Sequence, residues 1–279
     1  MKVVAILTTY NEEIFIEQIL QHYFEHGVDV YILDNESTDK TIELAWPFLK
    51  KNLINIQTVP RTGKKEWSKM LRLKERLATE LDADWFIHAD PDEFRVPPHS
   101  NQTLNEAIQQ VDDEGYNVIN FMEYTFVPTT EEPVHGKDFL HSMKYYYAFL
   151  PRPRNRLNAW KNNIESRNVF EYLKQVWQKK TLKPSRVELV SSGGHQVNFK
   201  GINPYPVDFK MRHYIVLSLE HAVRKYVDID YDDEQDWRSN AKNLNFFVPS
   251  EEDLKFHTSD DELDSENPNK KHIFYATQV

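Results

Sequence analysis

Three carboxylates, Asp90, Asp92 and Glu93, fall within four residues directly after the apolar run Trp85-Phe86-Ile87. An apolar run that ends abruptly in acid reads as a buried strand whose C-terminal end opens into a loop. In open α/β sheets ligands sit in the crevice beyond such strand ends. Pro91 fixes the turn between the two aspartates. Close carboxylates repel unless a cation, a proton or a hydrogen-bond donor offsets them. Hard oxygen ligands with open positions suit Mg²⁺ or Mn²⁺ holding a phosphate-bearing molecule.

A bare Asp-x-Asp is commonly a solvated turn, and it is the upstream chain that changes its meaning. Thr8-Thr9-Tyr10-Asn11-Glu12 follows the apolar Val3–Leu7, and Asp34-Asn35-Glu36-Ser37-Thr38-Asp39 follows Val28–Leu33. Taken singly, each is an ordinary strand-to-helix loop with a capping residue. Together with Asp90 and Asp92 they put three polar strand ends at one edge of a parallel sheet. That convergence describes a crevice lined with hydroxyls, carboxylates and a tyrosine ring.

The elements that must position these loops are legible from periodicity. Ile16, Ile19, Leu20, Tyr23 and Phe24 recur at helical spacing, and Gly27 stops that helix. A helix is expected over about Lys40–Lys50, a third strand over Ile54–Val59, a helix over Trp67–Leu81 and a fourth strand over Trp85–His88. Such alternation predicts a parallel, doubly wound sheet. Further on, the pattern predicts a helix at Leu104–Val111, a strand at Val118–Phe126 and a helix at Ser166–Lys179. Short strands are expected at Val187–Val190, Gln196–Phe199 and Met211–Tyr214, and a last helix at Ser218–Val227. The fold class expected is α/β: a Rossmann-like, mostly parallel central sheet flanked by helices, with an irregular α+β C-terminal half. A single domain is expected, with a nucleotide-binding half over 1–127 and an acceptor half over 128–279.

Composition narrows the chemistry. The chain has 279 residues, 40% of them hydrophobic, which suits a folded globule with a substantial core. A formal charge of −10 argues against nucleic acid as a partner. There is no cysteine, so disulfides, zinc–thiolate sites and cysteine nucleophiles are excluded. No run approaches the roughly 20 apolar residues of a membrane span, and Val3–Leu7 is too short for a signal peptide. A cytoplasmic location is expected.

Thr8-Thr9-Tyr10-Asn11-Glu12, then Leu33 to Thr41, then Asp84 to Phe94, together resemble the family-two-like glycosyltransferases of A-type fold. The likeness is to the branch whose metal motif ends in Asp-Glu-Phe, as Asp92-Glu93-Phe94 does here. It extends over about residues 1–95. It departs at Asp34-Asn35, where many relatives carry two acids, leaving Asp34 as the sole carboxylate for a base contact. The resemblance implies a nucleotide-sugar donor, such as a uridine diphosphate sugar, a glycan or other hydroxyl acceptor, transfer with inversion, and Mn²⁺ or Mg²⁺ as cofactor. Thr8, Tyr10 and Glu12 would line the nucleoside pocket and Asp34 would bind the base. Asp90 would touch ribose or metal, and Asp92 would coordinate the metal on the diphosphate, offsetting charge on the leaving group.

Other residues are placed less firmly by the sequence. Lys64, Lys65, Lys69 and Arg72 precede the fourth strand, and Arg72 is the best phosphate contact among them. His195 and His213 are candidates to complete the metal site, since imidazole suits Mn²⁺. Met211-Arg212-His213-Tyr214 through Ser218 and Lys225 also resembles the far end of the same branch. Lys183-Pro184 is a candidate for the acceptor wall. The base that takes the acceptor proton is sought at Glu123, Asp138 or Glu165. Two other readings exist: sugar-phosphate nucleotidyl transfer, which usually wants a glycine-rich loop absent from Met1 to His26, and non-catalytic carbohydrate binding through Tyr145–Phe149. Asp92→Asn is expected to relieve repulsion with Asp90 and Glu93 and so to stabilise the metal-free chain.

Overall fold

The computed structural model describes residues 1–61, 67–129, 138–149, 156–162 and 187–226, together with three two-residue strands beyond them. The first four strands are β1 (Val3–Thr9), β2 (Asp29–Asp34), β3 (Leu53–Thr58) and β4 (Trp85–Ala89). They run parallel in the order β3-β2-β1-β4. Every residue of β1 and β4 is buried, as befits strands covered on both faces. The helices α1 (Ile16–Glu25), α2 (Thr41–Ala45), α3 (Trp67–Glu80) and α4 (Leu104–Asp113) alternate with them.

The pleat sorts the side chains into two cores. Val3, Ala5, Leu7, Val30, Ile32, Trp85 and Ile87 pack with the apolar stripes of α1 and α4. Val4, Ile6, Tyr31, Leu33 and Phe86 pack with Met70, Leu71, Leu77 and Ala78 of α3. Gly27, at φ +69°, ends α1. Thr103 and Glu106 form a capping box that opens α4, a device worth about 1 kcal/mol. The second helix is shorter than its periodicity suggests. Pro47 lacks an N–H to continue the ladder, and Trp46–Phe48 tighten into a 3₁₀ turn.

Past β4 the sheet becomes mixed. Its remaining strands are β5 (Glu93–Val96), β6 (Val118–Phe126), β7 (Tyr145–Phe149), β8 (Leu157–Lys161) and β9 (Phe209–His213). Strand β8 lies antiparallel to β4, β6 antiparallel to β8, and β7 antiparallel to β6. Of the two-residue strands, β10 (Asn245–Phe246) and β12 (Tyr275–Ala276) pair with each other, and β11 (Lys255–Phe256) adds to β7. Short helices α5 (Phe139–Ser142) and α6 (Leu219–Tyr226) complete the described elements. The ladder that shapes the site is β5-β9-β6. Strand β9 pairs antiparallel with β5 and parallel with β6, which puts His213 opposite both Glu93 and Thr125.

The structure departs from expectation in the segment after residue 186. Val187–Val190 and Gln196–Phe199 form no strands; a single bridge, Glu188 to Asn198, and a 3₁₀ turn at Val190–Ser192 take their place. Strand β5 carries too few residues to announce itself. The expected helix Ser166–Lys179 lies outside the described residues, as do Lys64, Lys65, Glu165 and Lys183-Pro184.

Candidate functional site

The ends of β1, β2 and β3 are latched to one another by side chains. Asn11, at φ +57°, accepts hydrogen bonds on Oδ1 from the backbone of Thr38 at 2.8 Å. Its own N–H donates to Ser37 Oγ at 3.0 Å. The Asp34 carboxylate is buried and accepts from Thr9 Oγ1 at 2.9 Å and from both the hydroxyl and the N–H of Ser37, at 2.6 and 3.0 Å. Its geometry therefore ties β1 to the β2 loop. Glu12 is half-buried, and its N–H donates to Thr41 Oγ1 at 2.7 Å. The Thr8 hydroxyl is buried and makes no hydrogen bond among the described residues.

Arg61, just past β3, completes this end of the crevice. Its guanidinium lies 3.8 Å from the centre of the Tyr10 ring. Nη1 donates to Asn35 Oδ1 at 3.3 Å, while Asn35 Nδ2 donates to the Val59 carbonyl at 3.1 Å. A ring with a guanidinium held over it forms a platform on which a flat, electron-rich group can stack. The sequence signal was weak, because Arg61 reads as one member of a basic segment.

At the end of β4 the two aspartates part company. Asp90 belongs to the α3 face. There Lys74, fully buried, donates to the Ala89 carbonyl at 2.7 Å, meets His88 Nδ1 at 3.1 Å and pairs with Asp90 Oδ1 at 3.5 Å. Burial pulls the Lys74 ammonium down to about 8, against the pull of Asp90. Burial and the neighbouring Lys74 keep His88 well below its ordinary range, so its ring accepts from the ammonium as a neutral group. The helix thus sends Lys74 to the acidic loop, while Arg72, the expected phosphate contact, lies on the exposed face of α3. Lys69 reaches the Pro60 carbonyl at 3.1 Å.

The segment Val187–Gln196 is fastened over this cluster. Glu75 of α3 accepts from the N–H of Leu189 at 2.7 Å, and Trp67 Nε1 donates to the Gly193 carbonyl at 2.9 Å. Gly194 sits at φ +91°, where a Cβ would stand 2.9 Å from His88 Nε2 and 3.1 Å from Leu71. Gly194→Ala is expected to cost about 2–3 kcal/mol, combining left-handed backbone strain with the clash. Gly193→Ala, at φ +65° with open space around its Cβ, should cost only the backbone part, about 1 kcal/mol. Denaturant midpoints of the two variants test the difference. His195 is exposed beside this cluster, near enough for its charge to act on His88.

Asp92 faces the other way, into a chain of alternating charge. Lys225 of α6 donates to Asp92 Oδ2 and also to the Ile215 carbonyl at 2.8 Å. His213 Nε2 stands 3.4 Å from the same Asp92 oxygen, and Nδ1 is 2.6 Å from Glu123 Oε1. Arg156 closes the chain on Glu123 Oε2, with Nε at 2.9 Å and Nη2 at 2.8 Å. Burial alone would lower His213, but Asp92 and Glu123 outweigh it and hold the imidazole well above its ordinary range. Both ring nitrogens then donate. Burial would raise Asp92, but Lys225 and His213 hold it well below the usual carboxylate range. Burial would also raise Glu123, and Arg156 and His213 bring it down to about 2.

The motif that follows the strand is divided among three jobs. Asp92 enters the charge chain. Glu93 pairs at 2.7 Å with Arg95, whose Nη1 also reaches Tyr23 Oη at 3.3 Å. Phe94 goes to the core, with ring centres 5.5 Å from Tyr214 and 5.9 Å from Phe139.

These placements bear on several expectations. Asp90, Asp92, His195 and His213 do not assemble as a metal centre, and no three His, Asp or Glu side chains gather as a ligand set among the described residues. The donor chemistry agrees: a metal-ligating imidazole must be neutral with one nitrogen open, and both nitrogens of His213 face carboxylates. As placed, the His213 imidazole offers no open nitrogen to Mn²⁺ or Mg²⁺. Glu123 is buried and ion-paired to both Arg156 and His213. Asp138 is exposed and pairs with His141 at 3.3 Å. Of the aromatic run at β7, Tyr146 is buried against Tyr124 and Phe126 and is unavailable to a glycan. Asp90 and Asp92 do repel Glu93, but each of the three acids also has a cation beside it, Lys74, Lys225 and Arg95 in turn.

No family model and no curated protein matches this chain. Among solved structures, it is similar to a TarS fragment from S. aureus in complex with UDP, at 13% identity and a TM-score of 0.43, covering 87% of this chain and 70% of that one. It is similar to an active-site mutant of LgtC at 12% identity and a TM-score of 0.35, covering 76% and 87%. A putative glucose-1-phosphate thymidylyltransferase from Bacillus anthracis aligns at 8% identity and a TM-score of 0.39, covering 86% and 99%. Similarity at this level carries no conclusion about what this chain does.

Proposed function

We propose that this chain is a glycosyltransferase that moves a sugar from a nucleoside-diphosphate sugar onto an acceptor hydroxyl, with inversion. The observation that supports this reading is the row of groups along the C-terminal edge of the parallel strands. At the β3 end stands the stacked Tyr10–Arg61 platform, beside Asn35. At the β4 end stand Asp90 and the cation-rich cluster around Asp92. A flat base, hydroxyl-bearing sugars and an anionic diphosphate ask for this succession: a π-face, carboxylates and hydroxyls, then cations.

In the reaction the acceptor oxygen attacks the anomeric carbon as the bond from that carbon to the diphosphate breaks. The nucleoside diphosphate leaves with the electron pair, and the acceptor proton passes to a base. Of the three acids after β4, Asp90 has the most exposed side chain, 26% against 10% for Asp92 and 12% for Glu93. We assign it the contact with a reacting or ribose hydroxyl, with Lys74 behind it. The cations around Asp92 face the charge that develops on the leaving diphosphate. Cytoplasmic residence is part of the same proposal.

A thermal-shift screen of uridine, guanosine, cytidine and thymidine diphosphates tests the donor half of this reading. One of them is expected to raise the melting temperature by linkage, by about 2.7 kcal/mol of stability at a hundredfold excess over Kd. Arg61→Ala should lose most of that shift, because it removes the platform while leaving the core intact. No shift with any of the four would count against the proposal.

A further inference from the structure

We infer that the donor diphosphate is bound by the ammonium of Lys225 in place of a divalent cation, so that the site works without metal. This rests on the nucleotide-sugar reading above. Asp92, the carboxylate best placed for a metal by sequence, already carries Lys225 and His213 on one oxygen. A divalent cation on that oxygen would have to displace Lys225 and His213, and one on the other oxygen would stand beside the Lys225 ammonium. Asp90 cannot supply the second ligand on the same side, because it is turned to Lys74 and His88.

The order of the groups points in the same direction. Lys225 and Arg156 stand at the two ends of the cluster, with Asp92, His213 and Glu123 between them, so its Lys225 end presents a cation. It is also graded toward solvent. Lys225 has the most exposed side chain of the five at 24%, then His213 at 15%, with Asp92, Arg156 and Glu123 at 10%, 9% and 3%. An anion entering from solvent therefore meets Lys225 first. The Ile215 carbonyl, 2.8 Å from Nζ, holds the ammonium in place while phosphate oxygens compete with Asp92 for its protons. Two residues read from sequence as a metal ligand and its histidine become the seat of a lysine.

Calorimetric titration of the full chain with uridine diphosphate, first in EDTA and then with Mn²⁺ or Mg²⁺ at matched ionic strength, tests this directly. Wild type should bind in EDTA, and added metal should change Kd by less than about threefold, well under the tenfold that 1.4 kcal/mol represents. Lys225→Ala should weaken binding in EDTA by roughly 10- to 100-fold, the scale of a charge-assisted contact. Lys225→Arg should recover most of it. Binding that appears only with metal, or that tightens more than about tenfold with it, overturns the inference while leaving the nucleotide-sugar reading standing. So does a folded Lys225→Ala that binds as wild type does. If Lys225→Ala fails to fold, the wild-type comparison of EDTA with metal decides alone. If neither buffer supports binding of uridine diphosphate or of the guanosine, cytidine and thymidine forms, the nucleotide-sugar reading fails and this inference with it.

Discussion

Arg156→Met should be among the most destabilising single changes in the protein, costing about 3–5 kcal/mol, because it strands the buried Glu123 carboxylate without its principal cation. Arg156 and Glu123 are 9% and 3% exposed, and two of the guanidinium nitrogens contact one carboxylate oxygen. The loss should pass along the chain: Glu123 orients His213, and His213 backs Asp92. The pH dependence carries a sign. Glu123 is held down from 4.5 to about 2 in the folded chain, so the stability it contributes is complete above 4.5 and is lost as pH falls toward 2. Without Arg156 the folded value rises, so acid unfolding should begin at higher pH in the variant. Melting curves of both proteins from neutral to acid pH measure this. Equal acid limits would mean that Arg156 is not what holds Glu123 ionised.

Asp92→Asn should also destabilise, by about 3 kcal/mol, since it leaves Lys225 and the His213 imidazole facing each other without their shared anion. The sequence suggested the opposite sign, because it shows the acids standing side by side and hides the cations. The effect on ligands should differ in kind. The variant keeps Lys225 and His213, so uridine diphosphate binding in EDTA should persist, within about tenfold of wild type. Differential scanning calorimetry with and without the nucleotide separates the two effects. A variant more stable than wild type would mean that the charge chain is wrongly drawn. A variant that folds normally but loses metal-dependent binding would restore Asp92 as a metal ligand.

Much of the scaffold was legible because local patterns determine it. Apolar runs that break into Thr8–Glu12, Asp34–Asp39 and Asp90–Glu93 marked three strand ends, and apolar residues at helical spacing marked α1. His213, Ser218 and Lys225 stood out by context, and His213 does meet Asp92, at 3.4 Å, while its contact with Glu123 was not legible. What stayed hidden depends on pairing between distant segments. Strand β5 meets β9 with Glu93 opposite His213, a register that no local pattern encodes. Arg156 sits in a stretch without periodicity, so nothing in the sequence leads it to Glu123.

Lys74 is a different case. It falls within the stripe Met70, Leu71, Leu77 and Ala78, where a cation has no reason to be unless something buried needs it. That placement is the signal that separates Lys74 from Arg72, which is exposed on the opposite face of the same helix. Arg61 was masked by the basic residues after it. Its meaning comes from the ring of Tyr10, two strands away in the sheet and 3.8 Å off in space.

The central claim is that the row of groups from Arg61 to Lys225 handles a nucleoside-diphosphate sugar. Its most direct test is release of nucleoside diphosphate by the purified full chain from a panel of nucleotide sugars, with a mixed pool of hydroxyl acceptors, in EDTA and in Mn²⁺. The result predicted is release from one donor class in both buffers by wild type, with Asp90→Asn losing turnover while still binding the nucleotide. No release from any donor, combined with pyrophosphate release from a nucleoside triphosphate and a sugar phosphate, would contradict it and identify nucleotidyl transfer instead.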